Sequence, residues 1–322
     1  MKKLTLLLIT LLQFTLIYAE KYSVKKDNAF YQVSYESKAY PGDAEFVRMT
    51  VSPVKKSGKN QLKDTKASLT LYLNQKKIIS SDFYLLEEKD SSSITMLTGL
   101  PLSTWWDQED GWSLKITCSL YGKTEETLEL PFTLMHKDFI SETLYLDEKN
   151  TSIKTDSSSR RQKDIEKLNA ILAQINTQSL WQKKAFTFPV TSKRRTAFFA
   201  DRRIYKYNTG GSTTGLHHGI DYGIPEGTDV FACGRGKVLL AEDRVSTGYS
   251  VVIEHLPGLY SLYYHLSRLD VKEGDFIEQG EKIGLSGCTG LATGPHLHWE
   301  VRLLMQSVNP DFFLRDFTYS QE

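Results

Sequence analysis

The sequence predicts a mainly β protein: an N-terminal β-sandwich, a linking helix and a C-terminal antiparallel β domain. Three observations predict it. Period-2 hydrophobic alternation recurs from about Asn28 to Asp147, one amphipathic helical stretch follows, and after Phe186 glycines crowd between short β-branched runs. Alternation at period two puts one strand face in a core and the other in solvent, whereas apolar residues three and four apart share a helix face. The chain of 322 residues suits about two domains at roughly 100–200 residues each.

Composition excludes several classes. Charged residues make up 25% and hydrophobic residues 40%, which fits neither a globally disordered chain nor a polytopic membrane protein. Lysine plus arginine number 40 and aspartate plus glutamate 39, a formal net charge of +1. Such a balance gives nucleic acid no basic excess to bind, and none is expected as a partner. Three cysteines cannot form a disulfide framework. Cys233 and Cys288 fall in the second domain and are the candidates for a pair in an oxidising compartment.

Residues 1–19 have the composition of a signal peptide. Lys2 and Lys3 give a positive start, and Leu4 to Ala19 is apolar apart from Thr5, Thr10, Gln13 and Thr15. The stretch is short against the ~20 residues of a membrane span. Ile17 stands where a small residue is usual, so an uncleaved N-terminal anchor is the alternative. Either outcome places the protein in the periplasm or cell envelope.

Residues 20–147 hold the alternating runs. Val47, Met49 and Val51 form one, Leu69, Leu71 and Leu73 a second, Trp112 to Leu120 a third and Leu128 to Leu134 a fourth. Pro41-Gly42, Ser57-Gly58 and Tyr121-Gly122 supply turns between them, and strands at such spacing imply an immunoglobulin-like sandwich. Trp105, Trp106 and Trp112 fit core and edge packing better than a ligand surface. Residues 148–184 form the link. Glu148–Ser159 is polar and reads as a linker, Asp156 to Ser159 offer N-caps, and Ile165, Leu168, Leu172 and Ile175 predict a helix from about Arg160 to Ile175. The second β-domain spans residues 185–316, with a tail over 317–322.

That domain holds six of the seven histidines. In His217-His218-Gly219-Ile220-Asp221, the glycines around the motif exclude a helix, while Gly219 admits a close approach that lets His217 and Asp221 converge. In His296-Leu297-His298 a strand would aim both imidazoles at one site, with Leu297 and Trp299 turned the other way. His265 lies in a third strand-like run, Tyr263-Tyr264-His265-Leu266. Imidazoles with one carboxylate are a favoured zinc donor set, and three protein ligands leave a position for water. Two further histidines could take the water's proton and steady a developing oxyanion. No His-Glu-x-x-His pair exists, which excludes the helical zinc-protease design. Spacing alone leaves the assignment of ligands open.

The domain resembles the lysostaphin-type zinc endopeptidases of bacterial cell walls. The likeness runs in order through His217 to Asp221, Pro225 to Val230, Gly236 to Val238, Tyr263 to His265, Val271 to Asp275, Gly284 to Gly290 and Gly294 to Glu300. It covers about 130 residues, Phe186 to Asp316, and nothing before Glu148. It departs at Phe199-Ala200, where the family often shows Phe-Gly ahead of a basic residue. The resemblance implies a compact antiparallel β-domain with the zinc in a groove. It implies His217, Asp221 and His298 as zinc ligands and His265 and His296 as catalytic histidines. It further implies a zinc metalloendopeptidase cutting peptidoglycan stem peptides or cross-bridges. The N-terminal domain lies outside the resemblance and is expected to position the groove or occlude it until wall contact, with an envelope protein as a candidate partner. A non-catalytic wall-binding or hydrolase-activating protein of the same fold is the alternative. Glu300 is placed either to orient a ligand histidine or to pair with Arg302. Arg202 and Arg203 would form a solvated face or grip a carboxylate of the wall peptide.

Overall fold

The alternating runs are strands. The computed structural model describes residues 19–54, 62–89 and 92–320; the expected leader, apart from Ala19, lies outside the described residues. Nine strands build the N-terminal sandwich: β1 (Glu20–Lys25), β2 (Ala29–Tyr35), β3 (Ala44–Pro53), β4 (Lys66–Leu73), β5 (Lys76–Asp82), β6 (Tyr84–Lys89), β7 (Ser93–Pro101), β8 (Trp112–Leu120) and β9 (Thr124–Pro131). One antiparallel sheet runs β1-β2-β3-β7-β6 and the other β9-β8-β4-β5. With β2 as the first sandwich strand, these orders are A-B-E-D and G-F-C-C′, the immunoglobulin arrangement. Val47, Met49, Val51, Leu69, Leu71, Leu114, Ile116, Leu128 and Leu130 fill the space between the sheets. Cys118 on β8 is buried and free.

On β3 the alternation conceals a second buried face. Ala44 and Phe46 point away from the sandwich core and into the second domain, where the Phe46 ring lies 5.1 Å from Phe317 and 6.1 Å from Phe313. Phe317, expected in a terminal tail, is buried in this cluster. Arg315 grips Glu36 through two bonds of 2.7 and 3.0 Å, and Asn309 Nδ2 donates to Asp43 Oδ1 at 3.0 Å. The outer face of this sandwich sheet therefore joins the core of the second domain, while the space between the two sheets keeps a core of its own.

The connecting segment is more structured than its polarity suggests. It holds strand β10 (Ser141–Tyr145), then α1 (Glu148–Thr155), then α2 (Ser159–Leu172). The stretch expected as a bare linker contains α1 because Asp147 caps it, accepting from Asn150 N, and because Asn150 Nδ2 donates to Ala292 O at 3.3 Å. Ser158 caps α2, accepting from Arg161 N. The helix stops at Leu172, short of Ile175, which is exposed. Its buried contacts are Leu168, Ile171 and Leu172, set on Leu240, Val252, Tyr260 and Leu262, while Ile165 faces solvent. The stripe expected on the helix is thus rotated toward Ile171.

The second domain is built on an eight-stranded antiparallel sheet. Its members are β11 (Arg195–Ala197), β14 (Gly219–Tyr222), β15 (Gly236–Arg244), β16 (Gly248–Leu256), β17 (Leu259–Leu266), β18 (Phe276–Ile277), β19 (Leu297–Leu303) and β20 (Gln306–Val308). The order is β11-β14-β19-β17-β16-β15-β18, with β20 paired to β19. Strands β12 (Arg202–Lys206) and β13 (Ser212–Leu216) form a separate three-stranded sheet with β10, ordered β10-β12-β13. Cys233 and Cys288 are free and do not make the expected pair. Among the described residues no helix is long and apolar enough to cross a membrane.

Candidate metal centre and its cleft

Three neighbouring strands supply the site. Asp221 on β14 sits directly opposite His298 on β19, and His298 is in turn opposite Tyr264 on β17. His217 follows the end of β13, tied by its amide to Asp201 O at 2.9 Å. On β19 the side chains alternate as expected: Leu297, Trp299 and Val301 are fully buried in the core, and His298, Glu300 and Arg302 line the cleft. Gly219 is demanded by space. A Cβ there would lie 2.3 Å from Trp299 O and 2.9 Å from His298 Nε2.

His217, Asp221 and His298 bring one ligand atom each within 4.8 Å of one another, all buried. His217 Nε2 is 3.0 Å from Asp221 Oδ1 and 3.0 Å from His298 Nδ1, and His298 Nδ1 is 2.8 Å from Asp221 Oδ1. The partners behind them set the tautomers. His217 Nδ1 lies 2.7 Å from Phe198 O. A carbonyl can only accept, so that nitrogen carries the proton and Nε2 presents its lone pair. Glu300 Oε2 stands 3.6 Å from His298 Nε2, which favours a proton there and leaves Nδ1 for the cluster. Two lone pairs and a carboxylate oxygen thus converge on one point, the donor set of a divalent cation. The separations are close to the roughly 3.3 Å between donors of a tetrahedral site with bonds near 2.05 Å.

Charge tells the same. Burial alone would raise Asp221, but hydrogen bonds with His217 and His298 hold it well below the usual carboxylate range. Burial alone would lower His298, and the Asp221 and Glu300 carboxylates reverse this and lift it to about 9. The site demands positive charge, and a metal ion would take the place of that proton. Glu300 does both things expected of it, facing His298 and pairing with Arg302.

His265 and His296 complete the group. Their ring centroids lie 4.7 Å apart, and His296 Nε2 is 3.7 Å from Asp221 Oδ1. His265 Nδ1 donates to Thr289 O and His296 Nδ1 to Gly294 O, both at 2.8 Å, so Nε2 is the nitrogen that each ring offers to the site. Burial, then the neighbouring His296 and His298, push His265 down to about 3, which keeps it neutral. His265 has φ 63, a strained left-handed backbone that β17 adopts as it ends at the site. All five line a cleft of about 640 Å³. The lining also carries Lys154, Arg194, Arg203, Arg244 and Arg302 against Glu142, Asp221 and Glu300, so the cleft is positive even without a metal.

The other three histidines stand outside this group, each with partners of its own. His255 is fully buried, with Nδ1 on Arg235 O and Nε2 on Ser261 Oγ. His218 bonds Ser307 Oγ, and exposed His136 lies between Asp107 and Asp138. Two features escaped the sequence. Tyr264 stacks on His298 with 7° between the rings, 5.4 Å apart. Arg203 is no solvated cation, since it is bonded to Asp221 and Glu142. The Phe199-Ala200 departure was a signal for this region. Ala200 has φ 67, a conformation that favours glycine, in the turn whose Phe198 carbonyl orients His217.

Residues 215–310, which include all five site residues, match the family described as Peptidase family M23. The peptidoglycan DD-endopeptidase ShyA of Vibrio cholerae is 38% identical over 123 residues, 38% of this chain and 28% of that protein. The chain spans about a quarter of the length of the curated relatives it matches. A solved structure named as a peptidase M23 from Pseudomonas aeruginosa aligns at 22% identity over 86% of this chain and 95% of that one, with a TM-score of 0.52, a likeness of fold. The catalytic domain of the prophage-encoded M23 protein EnpA from Enterococcus faecalis is 32% identical over 39% of this chain and 95% of that one, at a TM-score of 0.33. The match makes residues 215–310 of this chain a peptidase family M23 domain.

Proposed function

We propose that the protein is an exported, zinc-dependent endopeptidase that hydrolyses peptide bonds in peptidoglycan stem peptides or cross-bridges. One observation carries this reading: the convergence of His217 Nε2, Asp221 Oδ1 and His298 Nδ1 on one buried point beside the imidazoles of His265 and His296. His217, Asp221 and His298 hold the metal. A zinc ion bound there supplies a water with a pKa near ~7 and polarises the scissile carbonyl. Of His265 and His296, one takes the attacking water's proton through its Nε2 lone pair and passes it to the leaving amine, and the other, entering as an imidazolium with a proton from solvent, donates from Nε2 to the developing oxyanion. Thr289 O and Gly294 O fix both rings for this by holding their Nδ1 protons. Glu300 orients His298 from behind. The positive cleft suits a peptide that bears carboxylates.

Export is supported by the leader-like residues 1–19, and an envelope location by the peptidoglycan activity named for ShyA. In this reading residues 185–316 are the peptidase unit and 20–147 an accessory sandwich that positions the cleft or docks an envelope partner. The test measures bound zinc and muropeptide release for wild type, His217→Ala and Asp221→Ala. Loss of both in each variant is expected. Full activity in either overturns the metal assignment, and a wild type with no zinc and no turnover overturns the enzyme reading in favour of a binding module.

A further inference from the structure

We infer that Arg203 is a positioning residue for Asp221, and that Glu142, from the segment joining the two domains, holds Arg203 in place. The inference rests on the proposed metal site. The two oxygens of Asp221 have separate duties: Oδ1 faces His217 and His298, and Oδ2 accepts from Arg203 Nη2 at 3.2 Å. No other donor to Oδ2 occurs among the described residues. A buried carboxylate rotates about its own axis unless both oxygens are held, and rotation would carry Oδ1 off the ligand point. Arg203 supplies that second hold.

Arg203 is itself held from outside the peptidase domain. Its Nε donates to Glu142 Oε1 at 2.7 Å, and its side chain is nearly buried between the two acids. The pairing follows from register. Strand β10 lies parallel to β12, and Glu142 is the register partner of Arg203. The planar guanidinium can serve two carboxylates in different directions at once, which a lysine ammonium on a flexible stem does less well. Sequence gave no hint, because Glu142 precedes Asp221 by 79 residues and belongs to a strand in a different sheet. The joining strand therefore takes part in setting metal affinity, and a displacement of the sandwich that unpaired β10 would be felt at Asp221.

The test measures the zinc dissociation constant of the full chain by competition with a chromophoric chelator. The absorption spectrum of the cobalt-substituted protein serves as a second readout. Partners behind metal ligands typically set affinity by about 10–100-fold. Arg203→Gln is expected to weaken zinc by that factor and to shift the cobalt spectrum. Glu142→Gln, at a partly exposed position, should weaken it in the same direction by less, and Arg203→Lys should recover part of the loss. His217→Ala serves as the reference for the site itself. If His217→Ala abolishes zinc binding while Glu142→Gln and Arg203→Gln keep wild-type affinity and spectrum, the positioning role is wrong and the metal site stands. If His217→Ala binds zinc like wild type, the metal reading fails and this inference with it. If Arg203→Gln does not fold, Glu142→Gln decides: wild-type affinity and spectrum refute the role.

Discussion

Gly219→Ala is the sharpest test of how the metal centre is built. Gly219 lies on β14, two residues before Asp221, and no left-handed backbone is required of it; what it lacks is room. An added Cβ would meet Trp299 O at 2.3 Å, where ordinary contact begins at 3.4 Å. The shortfall of about 1 Å falls on backbone of the facing strand, so β14 and β19 must separate by a similar amount. The same Cβ would press on His298 Nε2 at 2.9 Å, turning the ring that is held between Asp221 and Glu300. Overpacking of this kind costs about 1–3 kcal/mol of stability, and a misplacement of about 1 Å at reacting groups costs roughly 100-fold in rate. We expect Gly219→Ala to fold with a lowered Tm, to bind zinc more weakly, and to lose about 100-fold in kcat/KM. Gly294→Ala is the control, because a Cβ there meets nothing within 4 Å although the residue lines the same cleft. Chelator competition and thermal melting of both variants give the answer. Wild-type zinc affinity in Gly219→Ala would refute the claim that strand spacing at this glycine sets the ligand geometry.

Removing the metal should lower stability by mass action: with free zinc at a thousandfold its Kd the loss is about 4 kcal/mol, or roughly 10 °C in Tm for a domain this size. A chelator that leaves Tm unchanged argues against a metal bound to the folded state. Ala200→Gly should raise stability by about 1 kcal/mol, since Ala200 occupies φ 67 where an L-residue is strained; an unchanged or lowered Tm contradicts this. Glu45 is almost wholly buried, one oxygen accepting from Glu36 N and the other without a partner among the described residues, and burial pushes its carboxyl well above the usual range. A carboxyl raised on folding binds its proton more tightly in the native state, so stability falls as pH rises above the unfolded value of about 4.3. Glu45→Gln should remove that part of the slope and melt higher than wild type at neutral pH; equal melting curves from pH 4 to 8 would sink the account. Phe46→Ala should cost about 3–5 kcal/mol, and separate melting of the sandwich from the second domain would show that this ring couples them.

How far the sequence went follows from the range of the forces involved. Alternation is local, so the strands, the two sandwich faces and the inward aim of Leu69, Leu71, Leu114 and Ile116 were legible. The five polar residues of the site were singled out from three histidine-bearing clusters and the family resemblance, and the structure gathers them at one cleft. What was hidden depended on distant partners. Phe46 alternates like any surface residue of an edge of the pattern, yet it is covered by Phe312, Phe313 and Phe317 from the far end of the chain. Helix α1 has no apolar stripe to announce it and is held by a cap at Asp147 and a bond from Asn150 to Ala292. Arg203 looked solvated because its two acids come from another strand of its own sheet and from the neighbouring sheet.

Strand β19 explains why site and core are not separable. Its even-numbered residues His298, Glu300 and Arg302 form a chain of alternating charge along the cleft, each neighbour paired to the next. Its odd-numbered residues Leu297, Trp299, Val301 and Leu303 are locked into the core shared with the sandwich. A strand clamped on one face cannot slide or twist without cavities opening there, so His298 keeps the position set by packing. Asp221 inherits that rigidity through its register with His298, and His217 through its contacts with both. The proposed metal ligands are therefore fixed by apolar contacts on the far face of the strand. The softer edge is the opposite one, where Asp221 meets Arg203 and the joining strand, and where polar bonds alone hold the geometry.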